Sequence, residues 1–133
     1  MVKGIAHIAM LVRNMDETLR LYQDLFGAKP GKIETIPEQG VKTVMVDFGS
    51  TTKVEILEPL PESNMAKVLE KRGEGLHHIS FEVDNIDQDL DSLVGKGVEL
   101  IDKKARRGAE GMIAFIHPKS TKGTLVELCQ TLE

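Results

Sequence analysis

Two histidines and two glutamates recur in this chain at nearly constant spacing. His7 and His78 stand 71 residues apart, and Glu55 and Glu127 stand 72 apart. Imidazole nitrogens and carboxylate oxygens together suit a divalent first-row metal, and a set that leaves positions open lets a substrate reach the ion. Such an ion polarises a carbonyl or orients a bidentate substrate. No thiolate takes part, so this is not the pattern of a structural zinc site.

The four residues sit inside repeated stretches. His78-Ile79-Ser80-Phe81-Glu82-Val83-Asp84-Asn85-Ile86-Asp87 overlays His7-Ile8-Ala9-Met10-Leu11-Val12-Arg13-Asn14-Met15-Asp16. Thr124-Leu125-Val126-Glu127-Leu128 overlays Thr52-Lys53-Val54-Glu55-Ile56. The period is longer than that of a solenoid, so the reading is a duplicated half-domain whose copies each open on a His and close on a Glu.

Strand alternation gives these residues a common direction, because side chains alternate with period two. Ile79, Phe81 and Val83 form an apolar face, with His77 on that side, and His78, Ser80 and Glu82 form the opposite one. His78 is therefore the candidate ligand and His77 its support. His7 has the same parity against Ile8, Met10 and Val12, Glu55 against Val54 and Ile56, and Glu127 against Val126 and Leu128. All four point away from the helix-packed faces of their strands. If the two units pair about an approximate two-fold axis, those faces line one cleft.

The elements that must position them follow in order. Residues 5–12 read as a strand, with Asn14 or Asp16 as cap of the next helix. Met15, Leu19, Tyr22 and Phe26 make its apolar stripe, Gly27 ends it and Pro30 prevents its resumption. Residues 31–40 are a loop or short strand, and 41–48 and 52–57 are two strands joined at Gly49-Ser50-Thr51. A linker helix over about 61–74 has Ser63 as its cap, Ala66 and Leu69 facing inward and Gly73 at its close. The second unit opens at Leu76 and repeats the order: Ile86, Leu90 and Leu93 match Met15, Leu19 and Tyr22, and Gly97 matches Gly27. Residues 98–102 read as a short strand, 106–111 as a loop, 112–117 and 124–130 as strands. Each unit is roughly βαβββ, with its helix on one side of its own sheet. The fold class is thus α+β: one domain over residues 1–133, with repeat one at about 3–60 and repeat two at about 75–131.

Composition narrows the function classes. The 133 residues are 41% hydrophobic and 29% charged, ordinary for a soluble globular domain with one core. A net charge of −4 argues against a broad nucleic-acid surface. Cys129 is the single cysteine, which excludes a disulfide framework and a CxxC zinc site. No apolar run approaches the roughly 18 residues of a membrane span, and no signal-peptide pattern opens the chain. A cytoplasmic, reducing setting is the expectation.

Further runs carry a family resemblance over nearly the whole chain. They are Pro37-Glu38-Gln39-Gly40-Val41, Gly73-Glu74-Gly75-Leu76-His77-His78-Ile79, His117-Pro118-Lys119-Ser120 and Gly123-Thr124-Leu125-Val126-Glu127-Leu128. With the His7-Ile8-Ala9 strand and its helix, the sequence resembles a vicinal-oxygen-chelate (glyoxalase/bleomycin resistance) protein, and within that superfamily a methylmalonyl-CoA epimerase. The resemblance implies paired modules forming a curled mixed sheet around a metal-binding cleft, commonly in a homodimer. It implies metal ligands at His7, Glu55, His78 and Glu127, although some epimerases carry Gln at the position of Glu55. Cobalt is the implied ion, with nickel, manganese or zinc as substitutes.

The implied reaction interconverts (2R)- and (2S)-methylmalonyl-CoA by C2 proton abstraction through a metal-stabilised enolate. Glu127 is expected to carry one proton transfer. Part of the family has a second acidic base where this chain has Thr43, and Thr is no ordinary base at neutral pH. Glu55 is the expected replacement. Gln39, Lys119 and Ser120 are the expected substrate-binding residues. Arg106, Arg107 and Lys122 are either phosphate contacts or solvated charge, and His117 either joins the site or ends a strand. The ligand residues alone also fit a lactoylglutathione lyase of the glyoxalase I type. A non-catalytic drug-binding relative is the reading from another class, and the complete ligand set counts against it.

Overall fold

The computed structural model describes residues 1–132; Glu133, the last residue of the expected domain, lies outside the described residues. The chain divides into two compact units: residues 8–77, and residues 1–7 together with the chain from His78 onward. Strand β1 (Val2–Leu11) contributes to both, so His7 sits on a first-repeat strand but belongs to the second unit.

In the unit 8–77, helix α1 (Met15–Phe26) starts where sequence placed it. The Asn14 side chain accepts the Glu17 N–H, and Gly27 ends the helix in the left-handed region at φ 67°, donating its N–H back to the Gln23 carbonyl. The short strands β2 (Lys29–Pro30) and β3 (Glu34–Ile36) both pair antiparallel with β4 (Val41–Asp47), which pairs antiparallel with β5 (Lys53–Pro59). Val12, Met15, Leu19, Val44, Val46 and Ile56 form the core under α1, with Tyr22 and Val54 packed on it. The end of the expected stripe departs from this core: Phe26 is exposed and meets Tyr22 edge to face. Helix α2 (Asn64–Arg72), capped by Ser63, covers the other sheet face, where Ala9, Leu11, Val41, Leu57 and Leu69 pack together. Gly40, at φ 69°, leaves room for that cap: a Cβ there would come 2.8 Å from the Ser63 Cβ.

The other unit repeats the plan. Strand β6 (Gly75–Val83) leads into α3 (Ile86–Gly95), whose Asn85 cap accepts the Gln88 N–H as Asn14 accepts that of Glu17. Strand β7 (Arg106–Arg107) pairs antiparallel with β8 (Gly111–Ile116), β8 pairs antiparallel with β9 (Val126–Thr131), and β9 runs parallel to β6. Val83, Ile86, Leu90, Ala114, Ile116, Val126 and Leu128 make the core under α3, and Phe81 packs against it. On the opposite face Ile113, Phe115 and Cys129 form a smaller cluster with Ala6 and Leu125. The expected alternation of Val126, Glu127 and Leu128 is therefore observed.

Three expected elements are corrected. Residues 98–102 are not a strand; they make one bridge, Leu100 to Ile116. Side chains occupy what would be ladder positions there, since Asp102 takes the Phe115 N–H and Ser120 takes the Glu99 N–H. The 106–111 segment, expected as a loop, begins with β7, and Thr124 and Leu125 precede β9 rather than belonging to it. In both repeats the strand after the helix is thus interrupted, as β2 and β3 in one and as the Leu100 bridge and β7 in the other.

Candidate metal centre

Six polar or charged residues are buried among the described residues: His7, Thr43, Glu55, His78, Ser80 and Glu127. Buried groups of this kind persist only when they are paired or bind an ion. Four of the six are the recurring histidines and glutamates.

In the unit that contains them, His7, His78 and Glu127 converge. The His7 and His78 Nε2 atoms are 3.3 Å apart. His7 Nε2 lies 3.3 Å from Glu127 Oε1, and His78 Nε2 lies 3.4 Å from Glu127 Oε2. The imidazole rings meet edge to face with centroids 5.4 Å apart, and the Phe115 ring closes on His78 from another side at 5.1 Å and 88°. The strand register explains part of this: Phe115 stands opposite Glu127, and Ser80 is the parallel partner of Glu127.

This spacing fits a shared cation. Nitrogen ligands at about 2.0–2.1 Å from one ion, subtending 90–110°, lie about 2.9–3.4 Å from each other. The His–Glu–His cluster could therefore hold a divalent metal through two Nε2 atoms and a carboxylate oxygen. An outer layer is present as well, for the Ser80 hydroxyl donates to Glu127 Oε1 at 2.8 Å and orients it.

Electrostatics favour the ionised carboxylate. Burial alone would raise the Glu127 pKa. The hydrogen bond and charge of His78, the charge of His7 and the Ser80 hydroxyl outweigh burial and hold it below its ordinary value. Cys129, two residues on, is affected the other way: burial and the neighbouring Glu127 charge push its thiol up to about 12.

Glu55 lies in the unit 8–77, buried on β5. The Thr43 hydroxyl donates to its Oε2 at 2.9 Å across the β4–β5 pair. His77 is half-buried. Gln39 ends a 3-10 turn over Pro37–Gln39, and its Nε2 is buried with no hydrogen-bond partner among the described residues. Lys119 and Ser120 lie in a second such turn, Pro118–Ser120, and both are exposed. The Ser120 hydroxyl already accepts the Glu99 N–H at 2.9 Å, and His117 Nδ1 accepts the Lys119 N–H at 3.0 Å. Those two contacts give Ser120 and His117 structural duties in this loop.

The residues that sequence reading left without a role are Ser80, Phe115 and the hydroxyl of Thr43. Ser80 shares the parity of His78, which was legible. Its counterpart in the first repeat is Ala9, so no repetition marked it.

Known proteins share the sequence and the fold of this chain. Residues 6–115 match the family model of the glyoxalase/bleomycin resistance protein/dioxygenase superfamily. The mitochondrial methylmalonyl-CoA epimerase of Mus musculus is 37% identical over 127 residues, covering 93% of this chain and 71% of that protein. The chain belongs to the methylmalonyl-CoA epimerase family of that superfamily, a family of enzymes. The uncharacterised Bacillus subtilis protein YqjC is 40% identical over 93% of this chain and 89% of its own. The crystal structure of methylmalonyl-CoA epimerase from Mycobacterium tuberculosis superposes with a TM-score of 0.94 at 32% identity, covering 99% of this chain and 90% of that one. A methylmalonyl-CoA epimerase in complex with methylmalonyl-CoA and ammonium gives 0.91 at 33% identity, covering 98% and 96%. The α+β fold expected from the repeat is the fold of these epimerase structures. No helix among the described residues is long and apolar enough to cross a membrane.

Proposed function

We propose that this chain interconverts the C2 epimers of methylmalonyl-CoA, using a divalent ion held by His7, His78 and Glu127, with Glu55 as the fourth ligand. The observation that carries the reading is the buried convergence of two Nε2 atoms and one carboxylate within 3.4 Å of one another, in a chain of the epimerase family. Such an ion, when bound, supplies Lewis-acid stabilisation of negative charge on the substrate's oxygens. Cobalt is the ion we expect, with nickel, manganese or zinc as functional substitutes.

The protein's own groups handle the proton. Glu127, buried beside both histidines and oriented by the Ser80 hydroxyl, is assigned the C2 proton on one face. The Phe115 wall beside His78 excludes water from that side and keeps the local electrostatics strong. Inversion needs a second carrier on the other face of C2. Thr43 stands where part of the family has an acid, and its hydroxyl donates to Glu55. We therefore assign the second transfer to Glu55, the repeat counterpart of Glu127. Gln39, whose Nε2 lacks a partner, and Lys119 are assigned to the acyl-CoA ester. Ser120 belongs to that assignment only if substrate displaces its bond to Glu99. A homodimer and a reducing, cytoplasmic setting complete the reading; the one thiol, buried Cys129, supports the latter.

The discriminating experiment compares substrates. Protein stripped of metal and reloaded with cobalt is assayed for epimer interconversion of methylmalonyl-CoA and, in parallel, for consumption of methylglyoxal–glutathione hemithioacetal. Metal-dependent turnover of the first alone is expected. Turnover of the hemithioacetal alone would make the chain a lyase, and metal-loaded protein silent towards both would return it to a binding role.

A further inference from the structure

Arg106 is held in a prepared position over the Phe115 ring, which in turn meets His78. Asp102 Oδ1 accepts its Nε–H at 3.2 Å, while Asp102 Oδ2 is itself fixed by the Phe115 N–H at 2.8 Å. The guanidinium carbon lies 5.7 Å from the centroid of the Phe115 ring, the ring that meets His78 edge to face. Register sets the direction. Arg106 stands opposite Ile113 and Phe115 opposite Glu127, and cross-strand neighbours share a sheet face. Arg106, Phe115 and Glu127 therefore project from one face.

A guanidinium has five N–H donors in a rigid plane. Asp102 uses the one on Nε, and the terminal amino groups of Arg106 meet no acceptor among the described residues. The side chain is 38% exposed, so solvent and ligands reach it. A loop staple needs only the Nε bond. Anchoring at Nε, stacking on an aromatic face and leaving the fork open is the arrangement that receives an oxyanion in bidentate fashion.

We propose that Arg106 is a specificity-determining residue that reads an oxyanion of the substrate. The carboxylate of the acyl group is the expected source, since His78 is only two ring contacts away. A phosphate of the nucleotide end offers the same chemistry. Naming the substrate's acyl group rests on the proposed function; the anion site itself does not.

The test uses metal-loaded wild type, Arg106→Gln and Arg106→Lys. Kinetics are measured with methylmalonyl-CoA and with methylmalonyl-pantetheine, which lacks the nucleotide phosphates. Binding of free methylmalonate is measured by calorimetry, which needs no turnover. We expect Arg106→Gln to lower kcat/KM about tenfold or more with both esters and to weaken methylmalonate binding similarly, as loss of a charge-assisted bond does. Arg106→Lys should restore only part, because it returns the charge without the fork. A loss confined to the CoA ester would make phosphate the anion that is read. Wild type inert towards both esters, with methylmalonate binding still dependent on Arg106, would overturn the proposed reaction and keep the anion site. Unchanged kinetics and unchanged methylmalonate binding in Arg106→Gln would overturn the inference and leave Arg106 a loop staple.

Discussion

Ser80 donates its hydroxyl to the Glu127 oxygen that faces His7, at 2.8 Å, from the strand that also carries His78. Both residues are buried, and the parallel β6–β9 register sets them side by side. Ser80→Ala removes a donor from a buried carboxylate without opening a large cavity. It should cost about 1–3 kcal/mol of stability and weaken metal binding by roughly 10–100-fold. Thermal unfolding of the metal-free protein and cobalt titration check the two effects separately. Unchanged cobalt affinity would remove Ser80 from the site.

Thr43 and Glu55 make the corresponding prediction for the other unit. Glu55→Gln preserves shape and can still accept the Thr43 hydroxyl through its amide oxygen, so the fold should hold. Turnover should fall by roughly 10²-fold or more if Glu55 moves a proton. Thr43→Val should give a smaller loss, with Thr43→Ser restoring it. Full turnover together with full metal content in Glu55→Gln would sink the assignment of Glu55 as proton carrier.

The depressed pKa of Glu127 has a definite sign in stability. A carboxyl whose folded pKa lies below its ordinary value of 4.5 stabilises the folded state above that value, and the contribution is lost as pH falls towards the folded pKa. Metal-free wild type should therefore lose stability more steeply below pH 4.5 than Glu127→Gln does. Denaturant midpoints measured between pH 3 and 7 for both proteins decide this, and parallel profiles would contradict it.

Cys129 is expected to be inert while the protein is folded. Its thiol is buried and pushed up to about 12, so almost no thiolate exists at pH 8. Iodoacetamide should label it only after denaturant is added. Rapid labelling of native protein at pH 8 would show that the Ile113–Phe115–Cys129 cluster opens.

Much of this architecture was legible because two independent signals coincided. The 71- and 72-residue offsets marked His7, Glu55, His78 and Glu127, strand parity set each opposite its apolar neighbours, and His7, His78 and Glu127 meet within one unit. The Asn14 and Ser63 caps and the stop at Gly27 followed from local backbone chemistry. Ser80 stayed hidden because its counterpart is Ala9, and Thr43 read only as a missing acid because its bond to Glu55 depends on how β4 and β5 pair. The expected strand at 98–102 failed for a related reason: Val98 and Leu100 do alternate, but Asp102 and Ser120 bind the backbone groups a ladder would use. The Asp102–Arg106–Phe115 arrangement likewise requires the β7–β8 register, which no local pattern encodes.

The most direct measurement is proton exchange at C2. Cobalt-loaded protein is mixed with one epimer of methylmalonyl-CoA in deuterated water, and the C2 proton is followed by NMR beside His78→Ala and metal-stripped controls. Rapid loss of the C2 signal with appearance of the other epimer, abolished in both controls, is the predicted result. Retention of the C2 proton by folded, metal-loaded wild type would contradict the proposed reaction.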